Sequence, residues 1–278
     1  MSYLEVSDPA YGFFDAERMA EKGRELSARY ASASPFPHIV IDDFCTPDIL
    51  EQCLALFPAE PDPDSISFDR AQERLKTSFN PDHLPAPVRS FFYSLNSRPF
   101  LRFLENMTGI DGLIADPHFL GGGFHQTKQG GHLSVHADFN LHAGLKVERR
   151  LNLLIYLNHD WKQEYGGALE LWDVDMKNCV HRLTPDFNRC VVFSTNANSF
   201  HGHPAPINHP EGKPRRSIAI YYYTATWDGV TRGRTTQFKA RPRTGDERDW
   251  SVRLNEIASD LTPPLVMRGF RKLGRILR

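Results

Sequence analysis

From Phe119 to about residue 227 the chain writes one short β-rich run after another, and no helical period intervenes. LNLLIYLN (151–158), GGALELWD (166–173), RCVVFST (189–195) and RRSIAIYYYT (215–224) are rich in branched and aromatic residues and are separated by turn-forming ones. Parallel neighbours would need long crossover connections, normally helices, and none is signalled here. The segment is therefore expected to fold as antiparallel sheets closed into a barrel or jelly roll, in a chain that is mostly β (α+β).

The run LNLLIYLN also says how one strand is faced. Leu151, Leu153, Ile155 and Leu157 share one side and suit a core. Asn152, Leu154, Tyr156 and Asn158 share the other, a mixed side that suits a cavity wall.

Residues 1–118 read differently, as helices with one early strand. DAERMAEKGRELSARY (15–30) sets Met19, Leu26 and Tyr30 on one helical stripe behind Asp15 as a cap. PFPHIVIDDF (35–44) is β-branched and bounded by prolines, so it predicts a strand. Thr46-Pro47 and Ser97 with Pro99 signal two further helix starts, with PAEPDPDS (58–65) as an exposed loop. These helices are expected to pack against the β segment within one domain.

Residues 228–278 form a C-terminal extension. TRGRTTQFKARPRTGDERDW (231–250) is expected as a loop, and PLVMRGFRKLGRILR (264–278) as a basic amphipathic helix. That helix either docks on its own domain or makes a weak contact with a membrane surface or partner.

Composition narrows the function classes. Of 278 residues 40% are apolar, the formal net charge is −1, and no apolar run reaches membrane-spanning length. Global charge thus points to no nucleic-acid partner. The start MSYLEVSDPAYGFF has no basic region followed by a long apolar one, and the four cysteines show no paired spacing. Reduced thiols and a cytoplasmic location are the expectation.

One stretch carries chemistry. In HLSVHADFN (132–140), His136 and Asp138 leave the same face of a strand, an odd choice for a core. Non-haem Fe(II) sites use two histidines and one carboxylate on one face. Downstream, SFHGHP offers His201 and His203, which share parity, so either can complete the set. The glycines of GGGFHQTKQGG (121–131) are no phosphate loop, since neither GK[ST] nor a helix follows.

Taken in order, HAD (136–138), IYLNHDW (155–161), YGGALELW (165–172), VVFST (191–195), FHGHPAP (200–206) and PRRSIAIYYYT (214–224) resemble the prolyl-4-hydroxylase-like branch of the 2-oxoglutarate/Fe(II)-dependent dioxygenases. PFPHIVIDDF also fits that family's opening strand. The resemblance implies a double-stranded β-helix over residues 119–227, Fe(II), 2-oxoglutarate as cosubstrate, O2, and ascorbate as a further cofactor. It implies His136, Asp138 and His201 as ligands, with His203 the rival for the third place.

A far carboxylate of 2-oxoglutarate needs a cation, and Arg215 and Arg216 compete for it. Arg215 shares a face with Ser217 and Ala219, whereas Arg216 shares one with Ile218 and Ile220. The small, polar side suits a cavity, so Arg215 is the choice, and Tyr156 matches a family tyrosine on the same carboxylate. The sequence departs from many relatives at GGGFHQTKQGG, where His125 or Gln126 stands in for a tyrosine, and INHPEGK (207–213) lengthens a connection. Arg149 matches an arginine near the substrate mouth of relatives. The expected activity is hydroxylation of a C–H bond in a protein, with peptidyl proline first, or in a small molecule. A metal-holding jelly roll without turnover is the alternative of another class.

Overall fold

The computed structural model describes residues 1–6, 8, 13–225, 235–241, 244 and 246. Its elements in chain order are α1 (Ala16–Ala31), β1 (His38–Ile41), α2 (Pro47–Ala55), β2 (Ile66–Arg70), β3 (Glu73–Phe79), α3 (Ala86–Leu95) and α4 (Arg98–Thr108). Then follow β4 (Ile114–Ala115), β5 (Gly123–Ala137), β6 (Glu148–Tyr156), β7 (Leu169–Trp172) and β8 (Cys179–Leu183). β9 (Cys190–Ser194), β10 (His201–His203), β11 (Arg215–Thr224) and β12 (Gln237–Phe238) complete the set.

The strands run antiparallel in the order β1-β9-β6-β11-β5-β10-β7-β8, with β3 and β12 also on β5. Neighbours that are distant in sequence mark the crossing connections of a jelly roll. The long strand β5 ties the roll together. Its first half pairs with β11 and its second half with β10.

Strand parity decides where the core lies. Leu151, Leu153, Ile155, Ile218, Ile220 and Tyr222 point to one side and join Met19, Leu26, Leu50, Phe92, Phe100 and Phe103 from the helices in the main core. The other side carries a smaller cluster around Tyr156, Leu169, Leu171 and Phe193, and beyond it a cavity. The helices thus seal one face of the sheet and leave the other free for chemistry.

Local signals act as expected at α1, where the Asp15 carboxylate accepts from the Glu17 and Arg18 amides and Met19, Leu26 and Tyr30 are buried. Gly23 lies where α1 meets α4, because a Cβ there would collide with the Phe103 carbonyl oxygen.

The helices signalled at Thr46 and Ser97 do form, but neither side chain caps its helix. The Thr46 hydroxyl accepts from the Val6 amide at 3.2 Å instead of from its own helix, and the Ser97 hydroxyl is buried without a partner. Proline at the first turn is what starts both helices.

The structure also contains elements that no sequence expectation above covers. The β2–β3 hairpin lies against β5, and α3 buries the stripe Val88, Phe91, Phe92 and Leu95. Within 231–250, expected as loop, Gln237–Phe238 pairs with Ala137 and His136 as a strand. The basic segment 264–278 lies outside the described residues. No described helix is long and apolar enough to cross a membrane.

Candidate metal and cosubstrate site

His136 sits at the end of β5, and Asp138 follows one residue past it. Antiparallel pairing places His201 of β10 directly across from His136, with the two rings 4.6 Å apart. Ligand atoms of His136, Asp138 and His201 all lie within 4.8 Å of one another. His136 Nε2 is 3.5 Å from Asp138 Oδ1, and His201 Nε2 is 3.4 Å from Oδ2.

The imidazoles are oriented from behind. His136 Nδ1 is 2.9 Å from the Ser134 carbonyl oxygen, and His201 Nδ1 is 3.0 Å from that of Ser199. A carbonyl accepts only, so each Nδ1 carries the hydrogen and each Nε2 turns its lone pair inward. Burial, only partly opposed by Asp138, lowers the pKa of His201 to about 4. The ring is therefore neutral at physiological pH and needs to release no proton to bind a metal.

Asp138 is held just as firmly. Asn152 donates to its Oδ2 at 2.7 Å, and Arg149 lies 3.1 Å from the same oxygen. Arg149 in turn donates to Asn152 Oδ1 at 2.9 and 2.6 Å, and its guanidinium stacks 3.5 Å over the Tyr221 ring. Burial pushes the Asp138 pKa up, but Arg149, then His201 and His136, outweigh it and hold the carboxyl well below its ordinary value. Two imidazoles and one ionised carboxylate on one face form the donor set that suits Fe(II).

Along the sheet next to this cluster, cross-strand register lays out two rows. Lys76, Thr127 and Arg215 stand side by side on β3, β5 and β11, and the next row runs Ser78, His125, Ser217 and Tyr156. Arg215 is buried, donates from Nε to the Gly167 carbonyl at 2.7 Å, and holds its guanidinium 4.9 Å from the Tyr156 ring centre. Among the described residues no carboxylate lies within ion-pair distance of Arg215. The Tyr156 hydroxyl is buried with no hydrogen-bond partner. A buried cation and an unsatisfied hydroxyl side by side fit the far carboxylate of a dicarboxylic acid.

The remaining sequence candidates divide. Arg216 leaves the opposite face, lies 4.6 Å over the Phe57 ring, and donates to Gln126 Oε1 at 3.2 Å. Gln126 is therefore not in the cavity, and the pocket role considered for it is corrected. One residue of strand offset turned it to the far side. His125 does line the cavity, with Nε2 2.9 Å from the Gly121 carbonyl, and Arg149 lines it as well. His203 lines the cavity beside His201 but does not join the metal-type cluster.

The cavity has a volume of about 240 Å³. Its outer wall comes from residues that sequence reading did not place there. Glu73 pairs with Lys76 at 2.9 Å and Arg70 at 3.4 Å, and Arg70 lies 5.0 Å over the Phe238 ring. Phe238 packs 5.3 Å from the His136 ring. The only sequence signal for this wall was the alternation in ERLKTSF, weakened by its charges.

Comparison with known proteins bears on this arrangement. Residues 122–223 match the family model described as the 2OG-Fe(II) oxygenase superfamily. A stretch of 79 residues is 33% identical to mouse (Mus musculus) prolyl 3-hydroxylase OGFOD1. The match covers 27% of this chain and only 14% of that relative's length.

Among solved structures, a prolyl hydroxylase from Trichoplax adhaerens, in complex with a peptide of a hypoxia-inducible factor, superposes with a TM-score of 0.51 at 18% identity. The superposition covers 74% of this chain and 91% of that one. HygX from Streptomyces hygroscopicus, with nickel, 2-oxoglutarate and hygromycin B bound, gives 0.50 at 11% identity over 80% of this chain and 93% of that one. At these identities the superpositions show the shared jelly-roll fold. The family match spans His136, Asp138, Arg149, Tyr156, His201 and Arg215 together, so the stretch that holds the site is similar to the 2OG-Fe(II) oxygenase superfamily over residues 122–223.

Proposed function

We propose that the protein is an Fe(II)- and 2-oxoglutarate-dependent dioxygenase that hydroxylates an unactivated C–H bond, with a peptidyl proline as substrate. The observation that carries this reading is the convergence of His136, Asp138 and His201 within 4.8 Å on the wall of a cavity that Arg215 also lines, with the Tyr156 ring 4.9 Å from its guanidinium.

His136, Asp138 and His201 would hold the metal, and Arg215 with Tyr156 would hold the far carboxylate of 2-oxoglutarate. Bound iron with 2-oxoglutarate and O2 supplies the oxidising chemistry, in which decarboxylation to succinate and CO2 accompanies transfer of one oxygen atom to substrate. The protein's own residues do the positioning. Ser134 and Ser199 carbonyls fix the imidazoles, Asn152 and Arg149 fix the carboxylate, and Leu154 and Leu169 add apolar surface to the cavity wall.

Three observations support a peptide substrate. The cavity, about 240 Å³, lies below the roughly 300–1,000 Å³ typical of small-molecule pockets. With 2-oxoglutarate inside, what remains admits a side chain more readily than a whole metabolite. Phe139, Tyr221 and Phe238 give that remaining space an aromatic lining against which a pyrrolidine ring can pack. The sequence match to a prolyl 3-hydroxylase supports the same substrate class. A jelly roll that binds metal without turnover would have no use for a buried Arg215 beside an unsatisfied Tyr156 hydroxyl.

The test is mass spectrometry on a panel of proline-containing peptides incubated with Fe(II), 2-oxoglutarate and air. A gain of one oxygen that requires both additions is expected, with none from Asp138→Ala. Full product from that variant would overturn the proposal.

A further inference from the structure

Four histidines line the cavity, and three have a ring nitrogen tied to a backbone carbonyl: His125 to Gly121, His136 to Ser134, and His201 to Ser199. His203 is the exception. It is 3% exposed, and its Nδ1 is buried with no hydrogen-bond partner. Unmet buried polar atoms are uncommon, and each asks for an explanation. Arg215, Lys76, His132 and His136 are the nearby groups that act on His203, and Glu73, tied to Lys76 and Arg70, lines the same cavity.

The placement is informative. His203 shares the cavity side of β10 with His201, two residues further on, which is about 7 Å along a strand. That step takes it out of the three-residue cluster, and Arg215, which lines the same cavity, is first among the charges that act on it. A five-carbon diacid that reaches from the metal-type site to Arg215 would pass through the cavity that His203 lines. Tyr156, whose ring lies 4.9 Å from the Arg215 guanidinium, has an unmet hydroxyl, and Arg215 has no carboxylate partner among the described residues. One anion would satisfy all three.

We propose that His203 is a third donor to the far carboxylate of 2-oxoglutarate, alongside Arg215 and Tyr156. The inference rests on the dioxygenase reading above and adds a residue to its cosubstrate site. As the Nδ1–H tautomer the imidazole donates a hydrogen bond without adding charge, and it takes no part in holding the metal. His203 is a binding residue here, so its loss is read in cosubstrate affinity.

The experiment is calorimetric titration of Mn(II)-loaded protein without oxygen, using 2-oxoglutarate and, separately, oxalate, which chelates the metal but has no far carboxylate. His203→Val should bind 2-oxoglutarate about tenfold more weakly, with affinity for Mn(II) and for oxalate unchanged. His203→Gln, which keeps an N–H donor, should recover most of the loss. Wild-type affinity for 2-oxoglutarate in His203→Val would overturn the proposal. So would a parallel loss of Mn(II) or oxalate binding, because the residue would then be acting on the metal or on folding. If the wild-type protein binds Mn(II) but not 2-oxoglutarate, the dioxygenase reading itself fails.

Discussion

At the residue scale the site is a set of side chains each held by a second group. Asn152 and Arg149 converge on Oδ2 of Asp138, and this fixes the rotation of the carboxylate between the two imidazoles. Breaking such a buried arrangement from one side leaves a charge without its partner, which is costly. Arg215 and Arg216 make the sharpest contrast, since they are adjacent in sequence and opposite in facing. Arg215 lines the cavity, while Arg216 lies over Phe57 on the far side of the sheet. Hydrogen bonds to charged groups contribute about 1.5–3 kcal/mol, so Arg215→Ala should weaken 2-oxoglutarate about ten- to a hundredfold with metal affinity retained. Arg216→Ala should change it much less. Titrating both variants with 2-oxoglutarate checks the assignment, and a large effect at Arg216 alone would reverse it.

At the scale of elements, the site depends on how closely β10 lies against β5. Gly202 sits between the two histidines of β10, and a Cβ there would come within 2.8 Å of the Leu133 and Ser134 carbonyl oxygens. Both obstacles are backbone, so β10 would have to move. Gly202→Ala should therefore cost about 1–3 kcal/mol of stability as overpacking and weaken metal binding by displacing His201, although Gly202 offers no ligand. Unfolding midpoints and Mn(II) titration would test it, and unchanged metal affinity would show that β10 tolerates the shift. Much of this architecture is legible in sequence. The alternation in LNLLIYLN and RRSIAIYYYT assigns the core face and the cavity face, and burial agrees at Leu153, Ile155, Ile218 and Ile220. The β2–β3 hairpin is not legible for a physical reason. ISFDR is mostly exposed, Leu75 takes a positive φ of 52° that breaks the alternation, and the strand that stabilises the hairpin is distant β5. Helix α3 did carry its stripe of Val88, Phe91, Phe92 and Leu95, with proline at the start as the matching signal.

At the scale of the whole molecule, the helices and the site occupy opposite faces of one sheet. Phe92, Phe100 and Phe103 pack with Ile155 and Ile220 in the main core, while Tyr156 and Ala219 of those same strands turn the other way. Metal and cosubstrate would thus bind to strands whose backs are already fixed by the core. Such ligands bind the folded state, and a ligand at a hundred times its Kd adds about 2.7 kcal/mol to stability. For a domain of this size that is on the order of 5 °C in Tm. The gain should come in two ordered parts. Mn(II) alone should raise Tm, and 2-oxoglutarate should add a further rise only once the metal is present, because its 2-oxo acid end has no chelator without it. Asp138→Ala should abolish both parts, whereas Arg215→Ala should keep the first and lose most of the second. Thermal unfolding of the three proteins with each combination of ligands, in the absence of oxygen, decides it. An equal rise from 2-oxoglutarate without metal would mean that the diacid binds through Arg215 alone, and the metal and cosubstrate sites would then be independent.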